Sequence, residues 1–201
     1  MSDNKKGWWA RLRRPSTRYS VLALLGIGFV GGVFALGGFL GELHATATES
    51  FCISCHEMRD NVYMEYKNTP HFNSKSGVRA TCPDCHLARE LGPKVARKVA
   101  AVRELVHKAK GTIDSREKFV DHRLEMAQRV WAEMKANDSR ECRSCHDAKA
   151  MDYAKQSRRA RQQHIRGDDE GLTCIECHKG IAHLLPDMKQ IDPSAVIGIQ
   201  Q

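Results

Sequence analysis

All eight cysteines of the chain fall into four Cys-x-x-Cys-His units: Cys52/Cys55/His56, Cys82/Cys85/His86, Cys142/Cys145/His146 and Cys174/Cys177/His178. Each unit offers two thiols on one turn of chain with an imidazole directly beside them. That combination suits covalent haem c, because the thiols add to the two vinyl groups of one porphyrin and the imidazole reaches its iron from one side. Two Cys-x-x-Cys units could instead build a four-thiolate zinc site. Zinc, however, has no use for a histidine immediately after the second cysteine. With ten histidines in 201 residues, four such neighbours would arise by chance with a probability of roughly 6 × 10⁻⁶. A disulfide scaffold is disfavoured, since the cysteines come only in short pairs within a long chain. The sequence therefore predicts four covalently bound haem c groups, one on each cysteine pair.

Four irons call for up to eight axial ligands, of which the motifs supply His56, His86, His146 and His178. Six histidines remain. His183 follows His178 closely within "CHKGIAH", and His71 and His164 lie in polar, loop-like segments, each between the two haem units of its own half. These three are the expected distal ligands. His122 points about 200° away from the apolar position Val120 on a helix, His107 adjoins basic positions, and His44 sits at a membrane boundary, so none of them is expected to bind iron. One haem is left short of a histidine. Met58 stands two residues beyond His56, and a thioether is an axial ligand that raises reduction potential. A core-filling methionine is the alternative, but the ligand shortage favours coordination.

The elements that carry these residues follow from the rest of the chain. Tyr19 to Gly41 holds no charged side chain, and 23 helical residues at about 1.5 Å each cover about 34 Å, enough to cross a bilayer core. The arm before it carries Lys5, Lys6, Arg11, Arg13, Arg14 and Arg18 against the single acid Asp3, with Trp8, Trp9 and Tyr19 suited to the interface. The positive-inside rule places this arm in the cytoplasm and everything after Glu42 on the far side. Ala45-Thr46-Ala47 imitates a signal-peptide cleavage site, but a secretory apolar region is only about 7–15 residues long, so a retained anchor is expected. Gly28/Gly32 and Gly37/Gly41 have a helix-packing spacing. The predicted organisation is a cytoplasmic basic arm at 1–18, a transmembrane anchor at 19–41 and a periplasmic tetrahaem domain at 42–201.

A nucleic-acid role does not survive the charge arithmetic. The net charge is +8, the arm contributes +5 (six basic minus one acidic), and eight haem propionates would add roughly −8 to the remaining +3. No nucleic-acid motif is present.

The haem units begin at 52, 82, 142 and 174, at intervals of 30, 60 and 32. This rhythm suggests two dihaem halves around a long insert. The insert reads as two helices. The first starts near Pro93 and ends at Gly111, with an apolar seam of Val95, Val99, Val102, Val106 and Ala109 and with Lys94, Arg97, Lys98, Arg103 and Lys108 off it. The second has Asp114 and Glu117 as a capping pair, a seam of Val120, Leu124, Ala127, Trp131 and Met134, and an end at Asn137-Asp138-Ser139. No long strand-like alternation occurs. The expected fold is mainly α: a single N-terminal transmembrane helix and a small multihaem cytochrome c domain packed around its haems, with an apoprotein that does not fold.

The stretches "FCISCHEMR", "SGVRATCPDCH", "ECRSCH" and "TCIECHKGIAHLLPDM" behind a single anchor resemble the NapC/NirT family of membrane-anchored tetrahaem quinol dehydrogenases. The likeness runs from the anchor to about Met188. It implies that Met58 serves the first haem in place of His56, that His71 is the distal ligand of the fourth haem, His164 of the third and His183 of the second. It also implies a quinol site beside the first haem, with Lys98 where a lysine is expected and Glu104 near the position of an acid. Many relatives read Cys-His-x-x-His at the second motif, whereas Arg89 occupies the last position here, and an arginine makes a poor iron ligand.

The implied activity is oxidation of membrane quinol, menaquinol or ubiquinol, with electrons passed through the four haems to a periplasmic reductase, the nitrate reductase complex foremost. Quinol releases two electrons and two protons while a haem takes one electron at a time, so the site needs a base and a nearby second haem. Membrane lipid is an expected partner, nucleic acid is not, and the sequence leaves a homodimer open. An electron-storage cytochrome that never touches quinol is the alternative, so the status as an enzyme stays open at this point. The implied location is the inner membrane, in a single pass.

Overall fold

The computed structural model describes residues 17–190, and the predicted basic arm from Lys5 to Arg14, with Trp8 and Trp9, lies outside the described residues. Ser20 opens the first helix by accepting a hydrogen bond from the Ala23 N–H at 3.2 Å. Helix α1, Val21–Ala45, then runs through the uncharged segment and four residues past its predicted end at Gly41. It is the one described helix long and apolar enough to cross a membrane, and its side chains from Val21 to Glu42 are exposed. The chain divides after Ala45 into this helical unit and a second unit that begins at Thr46.

The second unit contains helices, turns and, among the described residues, no strand. Its longer helices are α2 (Leu91–Ala109), α3 (Arg116–Asp121), α4 (Arg123–Ala136) and α5 (Arg158–Glu170). Gly111, at φ +63°, ends α2 in the left-handed region that glycine adopts without strain. The predicted second helix is interrupted at His122, which separates α3 from α4. Its cap is Ser115, whose side chain accepts from the Lys118 N–H, while Asp114 pairs with Lys118 at 2.7 Å. The interruption also breaks the predicted seam: Phe119 is buried and Val120 is exposed. The end at Asn137 to Ser139 is as expected, with Asp138 and Ser139 both left-handed.

The aliphatic seam of α2 does not pack inward. Val99, Val102 and Val106 are exposed, and the basic residues beside them hold the helix to its unit. Lys108 reaches the buried Glu57 at 2.8 Å, and Arg97 lies 3.8 Å from Glu133 of α4.

Few apolar side chains are buried in this unit: Tyr66, Ala88, Phe119 and Ile175. Such a core falls short of the conformational entropy of a chain this long. Four porphyrins fit this deficit, because each brings a large flat apolar surface.

Candidate haem centres

Each Cys-x-x-Cys-His unit starts on one short helical turn: Glu49–Cys52, Cys82–His86, Arg140–Arg143 and Cys174–Cys177. All eight cysteines are free of disulfides. At the second and fourth motifs the turn holds both cysteines. At the first and third it does not, because Cys55 and Cys145 fall beyond the turns that carry Cys52 and Cys142. Cys55 departs furthest from the expected two thiols on one turn. Its carbonyl accepts from the Met58 and Arg59 N–H groups, at 3.1 and 3.0 Å, so the next helical stretch claims its backbone. Its half-buried side chain lies within hydrogen-bond reach of Lys108.

Two local designs alternate. At the second and fourth motifs a threonine before the first cysteine and an acid between the cysteines cap each other. The N–H of Thr81 donates to Asp84 Oδ2, and that of Thr173 to Glu176 Oε2, each at 2.8 Å. At the first and third motifs a serine occupies the acid's position. Ser54 Oγ donates to the Phe51 carbonyl and Ser144 Oγ to the Glu141 carbonyl, each at 2.7 Å. The recurrence of both designs supports the two dihaem halves read from the spacing.

The motifs follow one another in space in sequence order. The Cys52 and Cys82 thiols are within hydrogen-bond reach of each other. Cys85 feels the charges of Cys142 and Cys145, and Cys142 that of Cys174. The fully buried Ser139, at the start of the third motif's turn, accepts from the Ile175 N–H of the fourth at 3.1 Å.

The histidines decide how well haem fits. Two imidazoles on opposite sides of one iron, with Fe–N near 2.0 Å, put their ring centroids about 6.3 Å apart. Three motif histidines have a second histidine near that separation. His86 and His183 are 6.2 Å apart, His146 and His71 6.1 Å, and His178 and His164 6.0 Å. Desolvation by the protein atoms crowding His86, and after it the charge of His183, pushes it down to about 4, although the residue stays open to solvent. Desolvation is likewise the chief cause lowering His183 and the partly open His178. Neutral rings are what a metal needs, since only they present a lone pair. His164 is also oriented from behind, with Nδ1 2.6 Å from Gln156 Oε1, which fixes the tautomer that frees Nε2. Tyr153 stacks on the same ring and donates to Asp168 at 2.7 Å. A cavity of about 520 Å³ beside His146 is lined in part by Arg143, Tyr153 and Asp168.

Two of the implied pairings are crossed. The resemblance put His71 with the fourth motif and His164 with the third, whereas His71 faces His146 of the third and His164 faces His178 of the fourth. The reason is the fold of the loops: His164 stays local on α5, while His71 is carried out of the first half into the second. The second motif finds its partner in His183, so Arg89 is not needed as a ligand. Its guanidinium instead lies 3.6 Å from the Cys145 sulfur and 3.9 Å from Asp84.

The first motif differs. His56 is half exposed, with Nε2 3.4 Å from Glu57 Oε1. Met58 opens a π-helical turn, Met58–Tyr63, a distortion frequent at functional sites. Asn61 within it is buried, donates to the Glu57 carbonyl at 2.9 Å and accepts from Arg116 at 2.8 Å. Burial would raise the Glu57 pKa, but the hydrogen bonds from Lys108 and the backbone, together with the charges of Lys108 and His56, outweigh it and hold the carboxyl below its ordinary value.

Lys98 Nζ donates to the Thr46 carbonyl at 2.7 Å and also contacts the Thr46 hydroxyl. It lies 5.9 Å over the Phe51 ring and close enough to Cys52 to lower that thiol electrostatically. Glu104 is not brought to it: this carboxylate is 61 % exposed and pairs with Arg97 at 2.8 Å. Sequence reasoning missed Glu57, whose signal is a carboxylate directly after a motif histidine, and Glu49, which pairs with Arg79 and has its second oxygen buried without a hydrogen bond.

Residues 14–188 match the NapC/NirT cytochrome c family, N-terminal region. The chain belongs to this family. It is 56 % identical over 185 residues to the denitrification system component NirT of Stutzerimonas stutzeri, covering 92 % of each chain. It is 55 % identical over 187 residues to the cytochrome c-type protein NapC of Paracoccus pantotrophus, covering 92 % of this chain and 79 % of that one. It is also 50 % identical over 199 residues to NapC of Escherichia coli K12, covering 96 % and 98 %. No solved structure matches the chain. This NapC/NirT-family protein is a membrane-anchored, mainly helical multihaem cytochrome of electron transport, with four covalently bound haem c groups.

Proposed function

We infer that this cytochrome oxidises membrane quinol beside its first motif and passes the electrons along the motif order to a periplasmic reductase, with the nitrate reductase complex as the expected acceptor. One observation carries the reading. Along the chain the first motif comes soonest after the anchor, and Lys98, beside Cys52 and over Phe51, is hydrogen-bonded to Thr46, the residue that follows the anchor helix. A lipid-soluble donor reaches this motif first. By the positive-inside rule the arm is cytoplasmic and the haem unit periplasmic, on the inner membrane.

Each bound haem supplies a one-electron carrier. His86 and His183 hold the second, His146 and His71 the third, and His178 and His164 the fourth, while Met58 is the ligand assigned to the first. Lys98, already oriented by the Thr46 carbonyl, positions the quinol oxygen. Glu104, 61 % exposed and paired with Arg97, suits a later acceptor of the released protons rather than a direct quinol contact. The resemblance to both NirT and NapC, at nearly equal identity, supports a periplasmic reductase as the class of partner.

The test uses membranes containing the holoprotein and an excess of menaquinol or ubiquinol. The haem absorption bands should shift to the reduced form. Haems that stay oxidised with both donors would sink the quinol reading, and copurification with a reductase would identify the acceptor.

A further inference from the structure

Helix α2 is amphipathic in the wrong sense for a core helix. With Val95 set at zero and about 100° per residue, Val99, Val102 and Val106 lie within about 40° of it. Arg97 and Lys108 lie about 140–160° away, on the side that meets Glu133 and Glu57. Charges thus hold the helix to its unit and aliphatics face out. Val99 is 67 % exposed, Val102 57 %, Val106 47 % and Leu105 63 %. Single exposed aliphatics need no explanation, but a row of three on one face, with Leu105 about 80° round from Val95, does.

We propose that α2 lies on the lipid surface, with its aliphatic stripe sunk into the headgroup and upper acyl region of the bilayer. The position of the helix argues for lipid over any other cover. Lys98, at the edge of the stripe, is bonded to Thr46, and chain continuity holds Thr46 next to the end of the membrane helix. The start of the stripe is therefore tied to the residue at which the chain leaves the membrane helix. The charges agree. Arg103 and Lys110 flank the stripe on one side and Lys94 on the other, placed to reach lipid phosphates with their apolar stems on the surface. Glu104, the helix's only acid, is on the far side. A haem edge with its anionic propionates, or a second copy of the chain, could cover part of such a stripe, and either would shield it from water and lipid alike.

The test places a nitroxide at Val99→Cys, Val106→Cys and, as a water-facing reference, Lys155→Cys, in the full-length holoprotein in nanodiscs of phosphatidylethanolamine and phosphatidylglycerol. The eight motif cysteines are thioethers in the holoprotein and do not react with the label. Labels at 99 and 106 should collide severalfold more with oxygen, relative to a nickel chelate, than the label at 155. Nickel collisions equal to those at 155 would overturn the proposal, because the stripe then faces water. Protection from both reagents would also overturn it, because haem or another chain then covers the stripe. The unsubstituted holoprotein gives a second readout in nanodiscs doped with a lipid carrying a photoreactive acyl chain. Adducts should map to peptides spanning 99–106, and their absence there counts against lipid contact.

Discussion

His71 and His146 face each other edge to face at 6.1 Å between ring centroids, although one comes from the first dihaem half and the other from the second. His183, near the end of the described chain, likewise reaches back to His86. The halves are therefore laced together through these histidine pairs rather than through a large apolar core. Loading of the second and third haems should coincide with docking of the halves.

His71→Ala should convert one low-spin haem to a high-spin or water-bound form and leave the other two histidine-paired haems low-spin. Magnetic circular dichroism counts them. When the third motif's cysteines are also replaced by alanine, the His71 change should add no further high-spin haem. If a new one still forms, the partner of His71 belongs to another motif.

Met58→Leu keeps the volume and removes the sulfur. It should alter one haem and suppress quinol-dependent reduction while the other three spectra persist. Normal spectra and normal quinol-driven reduction would show that Met58 is packing and that His56 ligates the first iron.

Lys98→Ala removes the ammonium that donates to Thr46 and lies over Phe51. A charge-assisted hydrogen bond is worth about 1.5–3 kcal/mol, so quinol-dependent reduction should slow by about ten- to a hundredfold. Glu104→Gln should cost less, since that carboxylate faces solvent and pairs with Arg97. Stopped-flow reduction of the haems by quinol separates the two.

Arg123 and Glu65 form a nearly buried pair at 2.5 Å, and Glu65 also accepts from the Leu184 N–H at 3.0 Å. Arg123→Met strands the carboxylate, at a cost of about 3–5 kcal/mol. Burial would raise the Glu65 pKa, but the hydrogen bonds from Arg123 and Leu184 outweigh it and lower it. The sign of the pH effect follows. The stabilisation is fully present above the unfolded value of about 4.3 and is lost as pH falls through the lower folded value. Thermal melts of the two holoproteins should therefore differ most near neutrality and converge in acid.

Covalent chemistry and short-range pattern were legible in the sequence alone. The four haem attachments, the anchor, the helical insert and the end at Asn137 to Ser139 each depend on residues within a few positions of one another. The three histidines singled out for ligation stand beside motif histidines for a related reason: loops and chain ends can be laid over a haem face without breaking a helix. Which motif each histidine meets was a tertiary matter, because His71 crosses between halves while His164 does not. The second seam failed at His122, where a break that no propensity rule announces changed the helical phase and buried Phe119 instead of Val120. The spacing of Cys52 and Cys55 likewise said nothing of the π-helical turn that draws the Cys55 backbone away from the turn of its partner. The stripe of α2 is the clearest case. Periodicity located Val99, Val102 and Val106 on one face, yet it carries no information about which side of a helix meets the rest of the protein. Glu57 and Glu133, both distant in sequence, settled that by taking the charged side.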